Sequence, residues 1–291
     1  PARAAAFAAR FGGEPAASYG ELLARPDVDA VYVCLPTMLH AEWAERALEA
    51  GKHVLVEKPL ATNGADARRL FALAGRKGLV LLENFMFLHH ATQRTVAGLL
   101  GSGVLGTVRA VSAAFTIPPR PEGDTRYDAA LGGGALLDNG VYPLRAALRL
   151  LGTDLTVAGA VLRHDGRRGV DLSGSALLAA PDGATAQVRW GMEHHYRSWY
   201  EVQGSAGTLS VEHVYTTAPD HSPVVLLRTG TEVTELRVPA EDHFEAVLAF
   251  FAAAVASPAP TRPGLPLLDA ESRRQAGLLD EVRGAALRVS A

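Results

Sequence analysis

Three apolar runs separated by two helix-forming stretches leave the first 83 residues of this chain few ways to fold. Val28 to Leu35 (VDAVYVCL) is rich in β-branched residues and does not alternate, the pattern of a parallel strand covered on both faces, and Pro36-Thr37 ends it. Met38 to Ala50 then has helical spacing, with Gly51 placed as its C-cap. Lys52 to Glu57 (KHVLVE) returns as a second short strand stopped by Pro59. Thr62-Asn63 opens a further helix to about Arg76, and Gly78 to Glu83 (GLVLLE) is the third strand. The spacing predicts an α/β domain over residues 1–83, a doubly wound parallel sheet covered by helices.

Beyond residue 84 the pattern changes. Val108 to Phe115, Leu155 to Arg163, Ser173 to Ala180 and Ala184 to Met192 read as longer strands, mostly without a helix between them. This predicts a second domain, residues 84–291, of α+β type with a large and mostly antiparallel sheet. In its clearest strand Ala184, Ala186, Val188, Trp190 and Met192 alternate with Thr185, Gln187, Arg189 and Gly191, so one face is buried and the other more polar. Helices at about Glu241 to Ala256 and Leu268 to Leu287 close the chain, joined by the proline-rich connector Ser257 to Pro266. No internal repeat is visible.

A chain of 291 residues exceeds what one core usually supports, in keeping with two domains. Its 28 basic and 31 acidic residues form no long run of either sign, which argues against a nucleic-acid or anionic-membrane partner and for a small molecule. The single cysteine, Cys34, is expected to be a buried strand residue and cannot form an internal disulfide. With neither a bilayer-spanning apolar stretch nor a signal-like start, a soluble cytoplasmic protein is expected. A dinucleotide-binding sheet normally opens with a strand, a Gly-x-Gly-x-x-Gly turn and a helix. No such turn stands before Val28, and Pro1 to Arg10 is already helical, so the chain is expected to begin just after the second strand of such a sheet, with its first strand-turn-helix absent.

The sharpest local feature is Glu57-Lys58-Pro59, because open parallel sheets bind ligands beyond the carboxyl ends of their strands. Lys58 there can donate to a ribose hydroxyl or a reacting carbonyl; the same triplet also suits a plain surface turn. A second feature is Gly132-Gly133-Gly134 followed by the helical pattern Ala135 to Leu151, on which Asp138, Tyr142 and Arg145 are spaced to share one face. Tyr142 suits proton donation to a carbonyl being reduced, with a nearby cation such as Lys58 easing its ionisation. Asp138 equally suits an N-cap, and Tyr142 a half-buried tyrosine with a wet hydroxyl. His40 and Tyr19 sit near the same crevice, where cofactor contact and simple packing are both open. Tyr196 and Trp199 offer flat faces for a base or sugar. His89-His90 and His194-His195 are adjacent pairs without metal-ligand spacing, so no metal site is expected.

Cys34-Leu35-Pro36-Thr37 with His40, Glu57-Lys58-Pro59, and Gly132 to Tyr142 (GGGALLDNGVY), in this order and spacing, resemble the glucose-fructose oxidoreductase, inositol dehydrogenase and rhizopine-catabolism family over nearly the whole chain. The resemblance implies an N-terminal Rossmann domain and a C-terminal domain with an open-faced sheet. Many members carry histidine where this chain has Tyr142. That difference, with Glu83 to His90 (ENFMFLHH) and Phe115 to Tyr127, is similar to NDP-hexose 3-ketoreductases, which reduce the C3 ketone of a dTDP-linked 3,4-diketo-2,6-dideoxyhexose with NADPH in bacterial deoxysugar pathways. By that resemblance Lys58 and Tyr142 are catalytic. Leu35, Pro36, His40, Glu57, Arg126 and Asp138 contact NADP(H), Tyr19 lies near its adenosine end, and Tyr196 touches the substrate nucleotide. NAD(H) stays open as cofactor. So do an NAD-dependent dehydrogenase of a free sugar or inositol and a sensor without chemistry. A dimer or tetramer built on the open sheet face is a further expectation of the resemblance.

Overall fold

The computed structural model describes residues 2–258 and 262–290. Its N-terminal third runs α1 (Ala2–Phe11), α2 (Tyr19–Ala24), β1 (Ala30–Val33), α3 (His40–Glu49), β2 (His53–Glu57), α4 (Gly64–Lys77) and β3 (Leu81–Asn84), with one 3-10 turn at Thr37–Leu39 before α3. The strands form a parallel sheet in the order β1-β2-β3, Val31 lying opposite Val54 and Val54 opposite Leu81. Each is shorter than its apolar run. Asn63 caps α4 by accepting from the amide of Asp66, as its side chain allows. Ala50 occupies the C-cap of α3, and Gly51 follows it at φ +77°. Cys34 departs from expectation: β1 ends one residue before it, so the side chain leaves the sheet and is exposed.

The second part contains α5 (Ala91–Gly101), β4 (Val108–Thr116), 3-10 turns at Thr125–Tyr127 and Ala129–Leu131, a π-helical turn at Leu136–Gly140 and α6 (Val141–Leu151). It continues through β5 (Thr156–Asp165), β6 (Val170–Ala179), β7 (Thr185–Gly191), β8 (Arg197–Gly204), β9 (Gly207–Glu212), β10 (Val224–Thr229), β11 (Glu232–Arg237), α7 (His243–Ala256), α8 (Leu265–Ala285) and β12 (Ala286–Ser290). Nine strands form one sheet ordered β11-β10-β9-β8-β4-β7-β6-β5-β12, antiparallel except where β4 meets β7 and β12 meets β5. The four strands expected from sequence lie side by side in it as β4-β7-β6-β5, next to the β12 edge. Two helix boundaries also move. The last helix gives way at Ala286 to β12, which takes Leu287 into the sheet. It also starts earlier, with Leu265 and Pro266 in its first turn, where proline's fixed φ suits a helix start. Residues 259–261 of the proline-rich connector lie outside the described residues.

The predicted alternation in β7 holds: Ala186, Val188 and Trp190 are buried beneath α6, whereas Gln187 and Arg189 face outward. Trp190 packs so closely on the π-helical turn that a Cβ on Gly140 would sit 2.9 Å from its ring. On the outward face Val161 and Leu177 are exposed. α8 ties the two sheets together, packing on α4, α6, β3 and β5. Its Asp280 accepts from the Gly64 amide at 2.8 Å, and its Arg283 donates to the Thr62 carbonyl at 2.5 Å. Among the described residues no helix is long and apolar enough to cross a membrane.

Candidate active site

The carboxyl ends of β1 and β2 face the loops that precede α6 across a cleft of about 270 Å³. Leu35, Pro36, His40, Glu57, Lys58, Arg126 and Asp138, scattered over a hundred residues, all line it. His40 is buried at the start of α3, with Nε2 2.6 Å from the Leu35 carbonyl and Nδ1 2.8 Å from the Pro59 carbonyl. It therefore bridges the two strand-end turns while lining the cleft. The Lys58-Pro59 peptide is cis. Glu57 accepts from the Tyr32 hydroxyl, from Asn84 Nδ2 at 2.7 Å and from the Lys58 amide at 3.3 Å.

On the opposite wall, Gly133 lies where a Cβ would come within 2.5 Å of the Arg126 carbonyl, so only glycine permits this loop closure. The π-helical turn then presents Asp138, which is no N-cap. Its Oδ1 and backbone carbonyl each accept from Lys58 Nζ at 2.9 Å, and its Oδ2 accepts from Arg126 Nε at 2.6 Å. Burial pushes the Asp138 carboxyl up, but Lys58 and Arg126 outweigh it and hold the group below the usual range. Burial likewise pushes the Lys58 ammonium down, and Asp138, Tyr142 and Glu57 together more than reverse this, so its pKa is raised. Both stay ionised at neutral pH. An ammonium has three donors; two are committed to Asp138, which leaves one for a ligand oxygen.

Tyr142, the second residue of α6, lies directly behind this pair, its ring centre 5.1 Å from Lys58 Nζ. Phe85, Phe87, Phe115 and Tyr215 surround it at centroid distances of 5.6, 6.0, 4.9 and 5.5 Å. The hydroxyl meets Met86 Sδ at 4.0 Å. Lys58 does not make this phenol more acidic than an ordinary one. Burial in the aromatic cage pushes it up to about 12, and the cation offsets only part of that. Arg145 also departs from expectation: three residues further along α6, a rise of about 4.5 Å, it passes below the cleft and is buried.

Two predicted residues lie elsewhere. Tyr19 is on a separate groove of about 880 Å³ beside α1, edge-on to Trp43 at 4.9 Å and close to Cys34. Tyr196 lies in a cleft of about 540 Å³ with Arg163 and Arg189, its hydroxyl 2.9 Å from Thr216 Oγ1. One ring, Phe115, separates it from Tyr142. Sequence reasoning did not single out the cage aromatics, Tyr32 or Asn84. Asn84 was within reach, since it ends β3 just as Lys58 follows the end of β2. Among the described residues no His, Cys, Asp and Glu cluster could hold a metal.

Sequence comparison agrees with this arrangement along the chain. Residues 1–85 match the oxidoreductase family with an NAD-binding Rossmann fold, and residues 93–210 match the GFO/IDH/MocA C-terminal domain. A dTDP-3,4-didehydro-2,6-dideoxy-alpha-D-glucose 3-reductase of Actinomadura kijaniata is 52% identical over 97% of this chain and 83% of its own length. One from Streptomyces violaceoruber is 50% identical over 98% and 84%. The crystal structure of a 3-ketoreductase from Actinomadura kijaniata in complex with NADP and TDP-benzene superposes with a TM-score of 0.94 at 50% identity, covering all of this chain and 88% of that one. Since both family domains are matched in order and half the residues are shared over nearly all of this chain and more than four-fifths of such relatives, the chain belongs to the GFO/IDH/MocA oxidoreductases.

Proposed function

We propose that this protein reduces the C3 ketone of a dTDP-linked 3,4-diketo-2,6-dideoxyhexose, with NADPH as the reductant. The observation that carries this reading is the meeting of Lys58 and Asp138, from two separate sheets' worth of structure, in one cleft with the Tyr142 ring packed 5.1 Å behind the ammonium. The cleft suits the nicotinamide half of a dinucleotide in its chemistry: an ammonium and a guanidinium for ribose and phosphate oxygens, and a glycine wall for close approach. Leu35, Pro36, His40, Glu57, Arg126 and Asp138 would hold it there, with Tyr19 toward the adenosine end and Tyr196 toward the substrate nucleotide.

When bound, the dinucleotide supplies a hydride to the ketone carbon. As the carbonyl π electrons move onto oxygen, Tyr142 gives that oxygen its phenolic proton, and solvent later restores it. The two-electron reduction of ketone to alcohol is then balanced by one hydride and one proton. Asp138 fixes the Lys58 ammonium so that its remaining N–H points to the same oxygen or to the ribose. The aromatic cage keeps Tyr142 protonated and excludes competing water.

The same reading divides the chain into a cofactor part, 1–83, and a substrate part, 84–291. It places the protein in the cytoplasm, where both ligands are made, and as a dimer or tetramer through the outward face of the large sheet, where Val161 and Leu177 lie exposed. The test is NADPH consumption by protein expressed from its complete reading frame, with the 3-keto sugar nucleotide generated in place by a 2,3-dehydratase. Rapid substrate-dependent oxidation of NADPH is expected, with NADH slower. Turnover of free sugars or inositol with NAD, and none of the sugar nucleotide, would overturn the proposal.

A further inference from the structure

Glu83 and Arg145 form an ion pair of 2.5 Å with side chains 4% and 1% exposed, well beneath the cleft. Such a pair gives little net stability over apolar residues of the same shape, so the geometry it enforces is its more informative property. That geometry reaches both sides of the site. Arg145 Nε donates to Gln275 Oε1 at 2.7 Å and Nη2 to Ser272 Oγ at 3.0 Å, which anchors it to α8. Its guanidinium lies 4.1 Å from the centre of the Phe85 ring, and Phe85 packs edge-on to Tyr142. The other carboxylate oxygen, Glu83 Oε1, accepts from the Leu60 amide at 2.8 Å. The turn that carries Lys58 is thus held at Pro59 by His40 and at Leu60 by Glu83.

We infer that Glu83, held by Arg145, is a positioning residue that sets the Lys58–Leu60 turn against Tyr142. Neither touches the cleft. Glu83 acts through the Leu60 amide, and Arg145 fixes the carboxylate while bracing the tyrosine's cage. The kinetic consequence rests on the ketoreductase reading; the structural one does not.

Two paired variants separate positioning from charge burial, because both remove the ion pair and neither leaves a lone buried charge. Glu83→Gln with Arg145→Met keeps an oxygen for the Leu60 amide, and Glu83→Met with Arg145→Met does not. Hydrogen exchange over residues 58–61 is expected to speed up at least about tenfold in the second and to stay near wild type in the first. In the second, kcat should fall about ten- to hundredfold with KM little changed. The primary isotope effect with 4-deuterated NADPH should rise, because a misplaced acid slows the chemical step. In a Lys58→Met background the second pair should cost no more than the first, since Arg145→Met is common to both and the Leu60 contact acts through that lysine. Equal exchange in the two variants, or an undiminished difference between them in the Lys58→Met background, would overturn the inference. If Glu83→Met does not fold, Glu83→Ala with Arg145→Met is the second acceptor-free variant, read the same way. Wild-type protein that leaves NADPH unconsumed would sink the functional reading instead, and the exchange comparison would still decide the positioning.

Discussion

In the proposed reaction Tyr142 and Lys58 divide the work by environment. A phenol held up to about 12 remains protonated across the physiological range, so it would enter each cycle of that reaction as a donor. Tyr142→Phe should lower kcat by about a hundred- to ten-thousandfold and leave NADPH affinity nearly unchanged, checked by turnover and by fluorescence titration. The pH profile follows from the same value: kcat should stay level from about pH 7 to about pH 10, with no limb that belongs to the tyrosine. A limb near neutrality that disappears in Tyr142→Phe would mean that Lys58 overrides burial once ligands are bound. Asp138→Asn removes the carboxylate that Lys58 and Arg126 share and leaves Arg126 with Asp124 alone. It should raise KM for NADPH and lower kcat together. Lys58, Asp138 and the strand-end residues could be read from sequence because strand ends and helix spacing fix position. The acidity of Tyr142 could not. It depends on Phe85, Phe87, Phe115 and Tyr215, which only tertiary packing brings around it.

The π-helical turn is the element on which the site hangs, since it carries Asp138 at its centre and starts α6 at the residue before Tyr142. Its backbone lies on Trp190 through Gly140. Gly140→Ala should cost about 1–3 kcal/mol in urea denaturation and weaken the Lys58–Asp138 contact, because the added methyl has no room. The sequence reads as a plain helix there: apolar spacing does not reveal one extra residue in a turn. The strands tell a similar story. β5, β6 and β7 are long and apolar enough to be read, whereas β11 is exposed along most of its length and β12 follows a helix without a break. In β8 the signal was present, with Ser198, Tyr200 and Val202 buried and alternating with Arg197, Glu201 and Gln203. It is masked by Arg197, Ser198, Glu201 and Gln203, the polar and charged half of its residues.

At the scale of the molecule, the ionised pair that spans the cleft joins the two parts of the chain as well as shaping the candidate site. Asp138 is held below its ordinary 3.8, so its contribution to stability is present above that value and is lost as pH falls through the lower folded one. Lys58 is raised above its ordinary 10.5, so its contribution is present below that value and is lost only as pH rises through the higher folded one. Lys58→Met with Asp138→Leu should therefore flatten the acid side of the melting-temperature profile. Asp280→Ala should cost about 1 kcal/mol and loosen the start of α4 in hydrogen exchange, through loss of the Gly64 contact. The two-part organisation was legible because the hydropathy period itself switches near residue 84. That α8 would serve both parts was not, since its sequence gives no sign of which surfaces it meets. Its place in the chain matters during synthesis. Ribosomes deliver the parallel sheet first and most of the large sheet next, and both wait, joined only by contacts such as those at and beneath the cleft, for a helix translated after them. Until α8 emerges, Arg145 lacks Ser272 and Gln275 and the start of α4 lacks Asp280, so a nascent chain paused before residue 265 holds the residues of the cleft without the helix that braces them from below.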